Sequence, residues 1–187
     1  MNRIETELED VWIFEPKVFG DARGFFMETW NRRRYGQAGL EAVFVQDNVS
    51  RSERGVLRGL HYQHPNAQGK LVQVLEGTVL DVAVDIRVGS PGFGQHVAVE
   101  LSDANFRQMY IPPGFAHGFC VLSETAIFAY KCTDFYNPAT EGGLLWNDPE
   151  LGIDWGIDRP KLSEKDKAYP RLKDIPDEHL PRYGEAL

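Results

Sequence analysis

Cysteine is almost missing from this chain of 187 residues: Cys120 and Cys132 are the only two, and neither belongs to a CxxC pair. That is too few for a disulfide framework, so both are read as buried thiols of a reducing compartment. Positive charge is also short. Lys and Arg number 20 against 28 Asp and Glu, a net charge of −8 that argues against nucleic acid or an acidic membrane as partner. A small anionic ligand would need a local basic pocket. No apolar run approaches membrane-spanning length, and MNRIETELEDVW carries acidic residues where a signal peptide has its apolar core, so a cytoplasmic protein is expected. GxSxG, Walker A and a GxGxxG leading into a helix are all absent, which leaves serine hydrolase, P-loop and dinucleotide readings without support. Internal repeats and low-complexity segments are absent too.

What is present reads as β-structure. The length suits one domain over 1–187, with an extended tail from about residue 168. VWIFEPKVF (11–19) is a first strand candidate, with Pro16 marking an edge or a bulge. NRRRYGQAG (31–39) is a short helix weakened by Gly36, its arginines a solvated face. VFVQDNVS (43–50) turns abruptly polar, so a strand is expected to end in Gln46-Asp47-Asn48. In TVLDVAVDIRV, Leu80, Val82, Val84 and Ile86 fall on one face, with Asp81, Ala83, Asp85 and Arg87 on the other. At least eight such runs, separated by Gly/Pro turns, predict an all-β barrel or sandwich. After Leu151, prolines at 160, 170, 176 and 181 leave one short helix near Ser163–Lys167 in a tail placed over the barrel mouth.

Three stretches carry candidate chemistry. GVLRGLHYQHPNAQGK (55–70) puts Arg58, His61 and Lys70 within sixteen residues in a strand context, where unpaired cations are rarely buried, which suggests a cation-lined pocket around a possible base. An edge strand with solvated charges explains them equally well. PPGFAHGF presents His117 after a Pro-x-Gly turn, a position more often structural. Tyr130 in AIFAYKC shares strand parity with Ala126, Phe128 and Cys132 and so faces inward, where a tyrosine hydroxyl usually finds a partner. A metal site fails on spacing: His61 and His64 lie three apart and point to opposite faces of a regular strand. His96 and His179 lack liganding neighbours, and His64 is placed on the surface.

The runs RGFFMETW, FVQDNVSRS, GVLRGLHYQ, NAQGKLVQV, DVAVDIR, IPPGFAHGF, AYKCTDFYNP, EGGLLWND and LSEKD resemble the dTDP-4-dehydrorhamnose 3,5-epimerases, in the family's order and spacing from about residue 3 to 167. The resemblance implies a cupin-like jelly roll, a homodimer, and action on a dTDP-4-keto-6-deoxy sugar without metal or organic cofactor. By motif position it implies His61 as base, Asp166 as its carboxylate partner, Tyr130 as acid and Lys70 as the cation beside the C4 oxygen. Arg23, Glu28, Gln46, Asn48, Arg58, His117, Glu141 and Lys165 resemble substrate contacts, and Tyr136 the aromatic residue stacked on thymine. The alternatives are an epimerase acting only at C3 or only at C5 and a non-catalytic sugar-nucleotide-binding cupin. A metal-dependent cupin oxygenase fails on ligand spacing. One feature resists the family reading: alternation puts Arg58 and His61 on opposite strand faces. A bulge near Gly59 is therefore expected, or an Arg58 that serves a neighbouring subunit.

Overall fold

The computed structural model describes residues 1–185. Among them thirteen strands form, each pairing antiparallel with its neighbours. The N-terminal part gives β1 (Asn2–Glu5), β2 (Trp12–Glu15), β3 (Val18–Asp21) and β4 (Gly24–Met27), then α1 (Arg32–Gln37). The body follows as β5 (Gln46–Glu53), β6 (Leu57–Gln63), β7 (Lys70–Glu76), β8 (Thr78–Asp85), β9 (His96–Ser102) and β10 (Gln108–Ile111). It closes with β11 (Phe115–Val121), β12 (Thr125–Cys132), β13 (Glu141–Gly143) and α2 (Glu164–Lys167). One sheet runs β1-β2-β10-β7-β12-β5, and the other β13-β6-β11-β8-β9. From β5 to β8, and again from β9 to β12, consecutive strands cross from sheet to sheet. This gives the cupin-like jelly roll.

The core between the sheets is apolar at one end, with Val72, Val79, Leu101, Met109, Ile111 and Val121 all buried. Part of each outer face is covered as well. Tyr35 of α1 packs with Phe14, Leu71 and Tyr110 on one side, while its arginines stay exposed. The segment after Gly143 lays Leu144, Trp155, Leu172 and Leu180 against Val82, Val84, Ile86 and Cys120 on the other. So both faces of β8 are buried, and its alternation separates a core-facing set from a tail-facing set rather than inside from solvent. Of the C-terminal stretch expected over the barrel mouth, α2 with Ser163 lines the opening, while the tail after it lies along this outer face, where Val88 bridges Arg182. Both cysteines are free and buried.

Three expectations about elements change. The first strand candidate is cut at Pro16 into β2 and β3, because proline cannot donate to a ladder. β1 was not foreseen. And β5 begins at Gln46, where a strand was expected to end: Gln46, Asn48, Ser50 and Ser52 alternate inward while Asp47, Val49, Arg51 and Glu53 are exposed. Polar residues face inward there because that end of the interior is a cleft.

The irregularity near Gly59 is real. His61 pairs with His117 and Arg58 with Phe119, so Gly59 and Leu60 both oppose Gly118. The extra residue resets the alternation and brings Arg58 and His61 to one side. A Cβ on Gly59 would lie 2.5 Å from Gly118 Cα and 2.9 Å from the His117 carbonyl, at a φ of +133°. Gly59→Ala is therefore expected to cost about 2–5 kcal/mol, combining left-handed strain with overpacking. Thermal melts check this, and a midpoint equal to the parent's would remove the requirement for glycine.

Candidate active site

The base candidate is built by two distant elements. His61 sits on β6, just past the bulge, and Asp166 on α2, whose N-cap Ser163 accepts from the Asp166 backbone N–H at 3.1 Å. His61 Nε2 and Asp166 Oδ1 are 2.6 Å apart, with the aspartate buried and the imidazole half-buried. Burial pushes the Asp166 carboxyl up, but the hydrogen bond and charge of His61, helped by Ser163 and Lys165, outweigh it and hold the pKa below the usual value. With Nε2–H donating to the carboxylate, Nδ1 is left as the nitrogen with a free lone pair.

His61 is shared by two adjoining clefts of roughly 320 and 370 Å³, which also have Asn48, Lys70 and Tyr130 in common. The first opens toward Gln46, Tyr136 and Glu141. There the Tyr136 hydroxyl donates to Glu141 at 2.7 Å and its backbone N–H donates to Gln46 at 2.9 Å. Glu141 also pairs with Lys165. Burial raises the Glu141 pKa, and these two donors together bring it below the usual value. The second cleft reaches Arg58, His117, Phe119, Phe128 and Lys165. Arg58 donates to Ser52 Oγ at 3.2 Å. Three cations, Arg58, Lys70 and Lys165, line this cleft in a chain of net charge −8.

Burial lowers the Lys70 ammonium pKa, with Cys132, Asp81 and Glu141 pulling the other way. Burial raises the Tyr130 phenol pKa, Cys132 and Glu141 adding to the shift and Arg58 opposing it, so the hydroxyl keeps its proton at neutral pH. His117 is deeper than a simple ligand contact: it is 7% exposed and bonds Asp81 through Nε2 at 3.0–3.1 Å. Its pKa is lowered chiefly by burial, which keeps the ring neutral.

The structure thus gathers Gln46, Asn48, Arg58, His61, Lys70, His117, Tyr130, Tyr136, Glu141, Lys165 and Asp166 around one opening. Arg23 and Glu28 are not among them. Arg23 is at the tip of the β3–β4 hairpin, paired with Asp21, and Glu28 lies by Arg34 and Asn31. Within one chain they line other depressions, and the hairpin instead packs Phe25 against Phe106. His64 is half-buried rather than on the surface, its Nδ1 enclosed without a partner among the described residues. Missed from sequence were Asp81, Gln63 and Gln68. The first two carried a signal: Asp81 is a charge on a valine-rich strand, and Gln63 is two residues from His61 on the same strand face. Among the described residues, no three His, Cys, Asp or Glu side chains gather as a metal-binding set.

Residues 5–174 match the family described as dTDP-4-dehydrorhamnose 3,5-epimerase. A Pseudomonas aeruginosa protein of that name is 60% identical over 176 residues, covering 93% of this chain and 97% of its own. The crystal structure of a dTDP-6-deoxy-D-glucose-3,5-epimerase from Legionella pneumophila, in complex with dTDP-4-keto-L-rhamnose, superposes with a TM-score of 0.96. It is 55% identical and covers 98% of this chain and 99% of that one. A dTDP-4-dehydrorhamnose 3-epimerase from Streptomyces niveus is more distant, 40% identical over 95% of this chain and 87% of its own. Fold, coverage and sequence identity agree: the chain belongs to the dTDP-4-dehydrorhamnose 3,5-epimerase family.

Proposed function

We propose that this chain inverts C3 and C5 of dTDP-4-dehydro-6-deoxy-D-glucose to give dTDP-4-dehydro-L-rhamnose. The observation that carries the reading is the 2.6 Å His61–Asp166 contact in a cleft shared with Lys70 and Tyr130. Carbons flanking a ketone are acidic enough for a positioned imidazole, ordinary pKa about 6.5, to deprotonate near neutral pH. His61 Nδ1 takes the proton, and the C–H electron pair moves into an enolate whose negative charge rests on the C4 oxygen. Asp166 stabilises the imidazolium that forms. Lys70 faces that oxygen; burial lowers its pKa, and negative charge developing on the oxygen would favour its ammonium form. The Tyr130 hydroxyl then gives its proton to the opposite face of the carbon; the imidazolium releases its proton to solvent and the phenolate recovers one from solvent, which resets the pair. The same pair serves the second carbon after the sugar shifts. Arg58 and Lys165 are assigned to the diphosphate, with His117 as a neutral sugar contact. Tyr136 is assigned to stacking on thymine, and Gln46, Asn48 and Glu141 to further substrate contacts. Every step uses the chain's own acid and base.

The 60% identity to a double epimerase against 40% to a C3-only relative favours two inversions over one. Incubation with the 4-keto sugar in D₂O is expected to place deuterium at both C3 and C5. Label at a single carbon would leave a mono-epimerase, and no label would leave a binding protein.

We further read the working unit as a homodimer. Phe25 and Phe26 on the β3–β4 hairpin are 60% and 70% exposed, an apolar display that fits burial by a second copy. Arg23 and Glu28 would then meet the partner's cleft. Phe25→Asp with Phe26→Asp is expected to sediment as a monomer with a raised KM, whereas an unchanged sedimentation coefficient would remove the hairpin from the interface. A cytoplasmic location fits the two free thiols, and cell fractionation checks it.

A further inference from the structure

We propose that Tyr169 is the positioning residue for the base: its ring, admitted by the missing side chain of Gly143, fixes the His61 imidazole against Asp166. The inference rests on His61 acting as the base. One hydrogen bond to Asp166 anchors a single nitrogen of the imidazole and leaves the ring free to swing about that contact. A second contact removes the swing. The Tyr169 ring meets the His61 ring edge-on, with centroids 5.8 Å apart and planes at 66°.

The ring occupies a slot that the sheet leaves for it. Gly143 is the direct partner of His61 in the β13–β6 ladder. A Cβ on Gly143 would fall within 2.6 Å of three Tyr169 ring atoms, so the tyrosine fills the place where the strand neighbour's side chain would stand. Two backbone bonds hold the slot closed: Leu145 N–H donates to the Pro170 carbonyl at 2.8 Å, and Leu144 N–H donates to the Leu60 carbonyl at 2.9 Å. The first pins the residue after Tyr169 to the chain leaving β13. The second pins that chain to the residue before His61. Tyr169 also follows Asp166 by three residues, so one short segment delivers both the carboxylate and the ring.

The hydroxyl contributes nothing comparable. It is enclosed, and among the described residues only the Lys165 ammonium lies near enough to act on it, without the geometry of a full hydrogen bond. What the residue supplies is its ring.

Steady-state kinetics of the full chain test this. Tyr169→Phe is expected to keep kcat within about twofold, and Tyr169→Ala to lower it about 10- to 100-fold with KM within about twofold, the size that displacement of a catalytic group by about 1 Å produces. Gly143→Ala displaces the ring and should show the same kcat loss. The double variant should lose no more than the worse single one, since both remove one contact. Parent kcat in Tyr169→Ala, a change in KM alone, equal losses in the Phe and Ala variants, or additive losses in the double variant would each overturn the proposal. If Tyr169→Ala does not fold, Tyr169→Leu against Tyr169→Phe makes the same comparison. Exchange that survives in His61→Ala would instead defeat the functional reading. Parent rates in Tyr169→Ala beside an inactive His61→Ala would defeat only this one.

Discussion

His61→Ala is expected to abolish deuterium exchange at both C3 and C5, lowering turnover about 10²- to 10⁴-fold, the contribution of a positioned general base. The loss should reach both carbons because a single basic nitrogen, Nδ1, serves both; Nε2 is committed to Asp166 at 2.6 Å. The fold should survive, since His61 is half-buried at the rim of a cleft and its removal enlarges an existing opening. Stability should change in one pH-dependent way. The Asp166 carboxyl is held below its ordinary pKa, so it contributes stability that is present above the unfolded value, about 3.9, and is lost as pH falls through the folded value. Without the imidazole, burial acts against the carboxylate with fewer opposing groups, and that contribution shrinks at neutral pH. NMR of the C3 and C5 protons in D₂O reads the exchange. Exchange persisting at either carbon would mean that another group is the base there.

The sheet positions were legible where the period of two is strict. In β12, parity alone places Tyr130 on the same side as Phe128 and Cys132, and the structure agrees. In β8 the parity was right, but which face meets solvent was not legible, because the C-terminal segment covers the second face with residues far away in sequence. Polar β5 misled for a related reason: alternation of Gln46, Asn48 and Ser50 against exposed neighbours looks like a strand ending until the inner face is known to be a cleft. The bulge at Gly59 could be inferred only from a conflict between Arg58 and His61. The reason glycine is required, close approach to Gly118, is a cross-strand fact no local window contains.

The acid–base constellation divides the same way. Nothing in the spacing of His61 and Asp166, 105 residues apart, predicts a hydrogen bond, and the pair was reached through motif resemblance. Asp81 was visible as an odd charge on an apolar strand, yet its partner His117 is 36 residues away on the neighbouring strand. Arg23 and Glu28 mark a different limit. Arg23 lies at the tip of the β3–β4 hairpin and Glu28 just after it, away from both clefts, a placement that no local pattern contains.

Tyr130→Phe should separate proton exchange from inversion. The substitution keeps the ring, and with it the 5.9 Å contact to Phe128, and removes only the hydroxyl. That hydroxyl holds its proton because burial, Cys132 and Glu141 raise its pKa against the pull of Arg58, which suits it to donate rather than accept. His61 is untouched, so the carbon–hydrogen bond still breaks and the enolate still forms beside Lys70. The imidazolium is then the nearest donor, and it stands on the face the proton left. Deuterium should therefore wash in with retained configuration, while net inversion falls about 10²- to 10⁴-fold. NMR of the recovered sugar nucleotide reads both at once, as loss of the C3 and C5 proton signals and as the ring coupling constants that report configuration. Inversion of both carbons at the parent rate would remove Tyr130 from the acid role. Loss of exchange together with inversion would show that the hydroxyl acts before the enolate forms, holding the sugar for His61 instead of returning the proton.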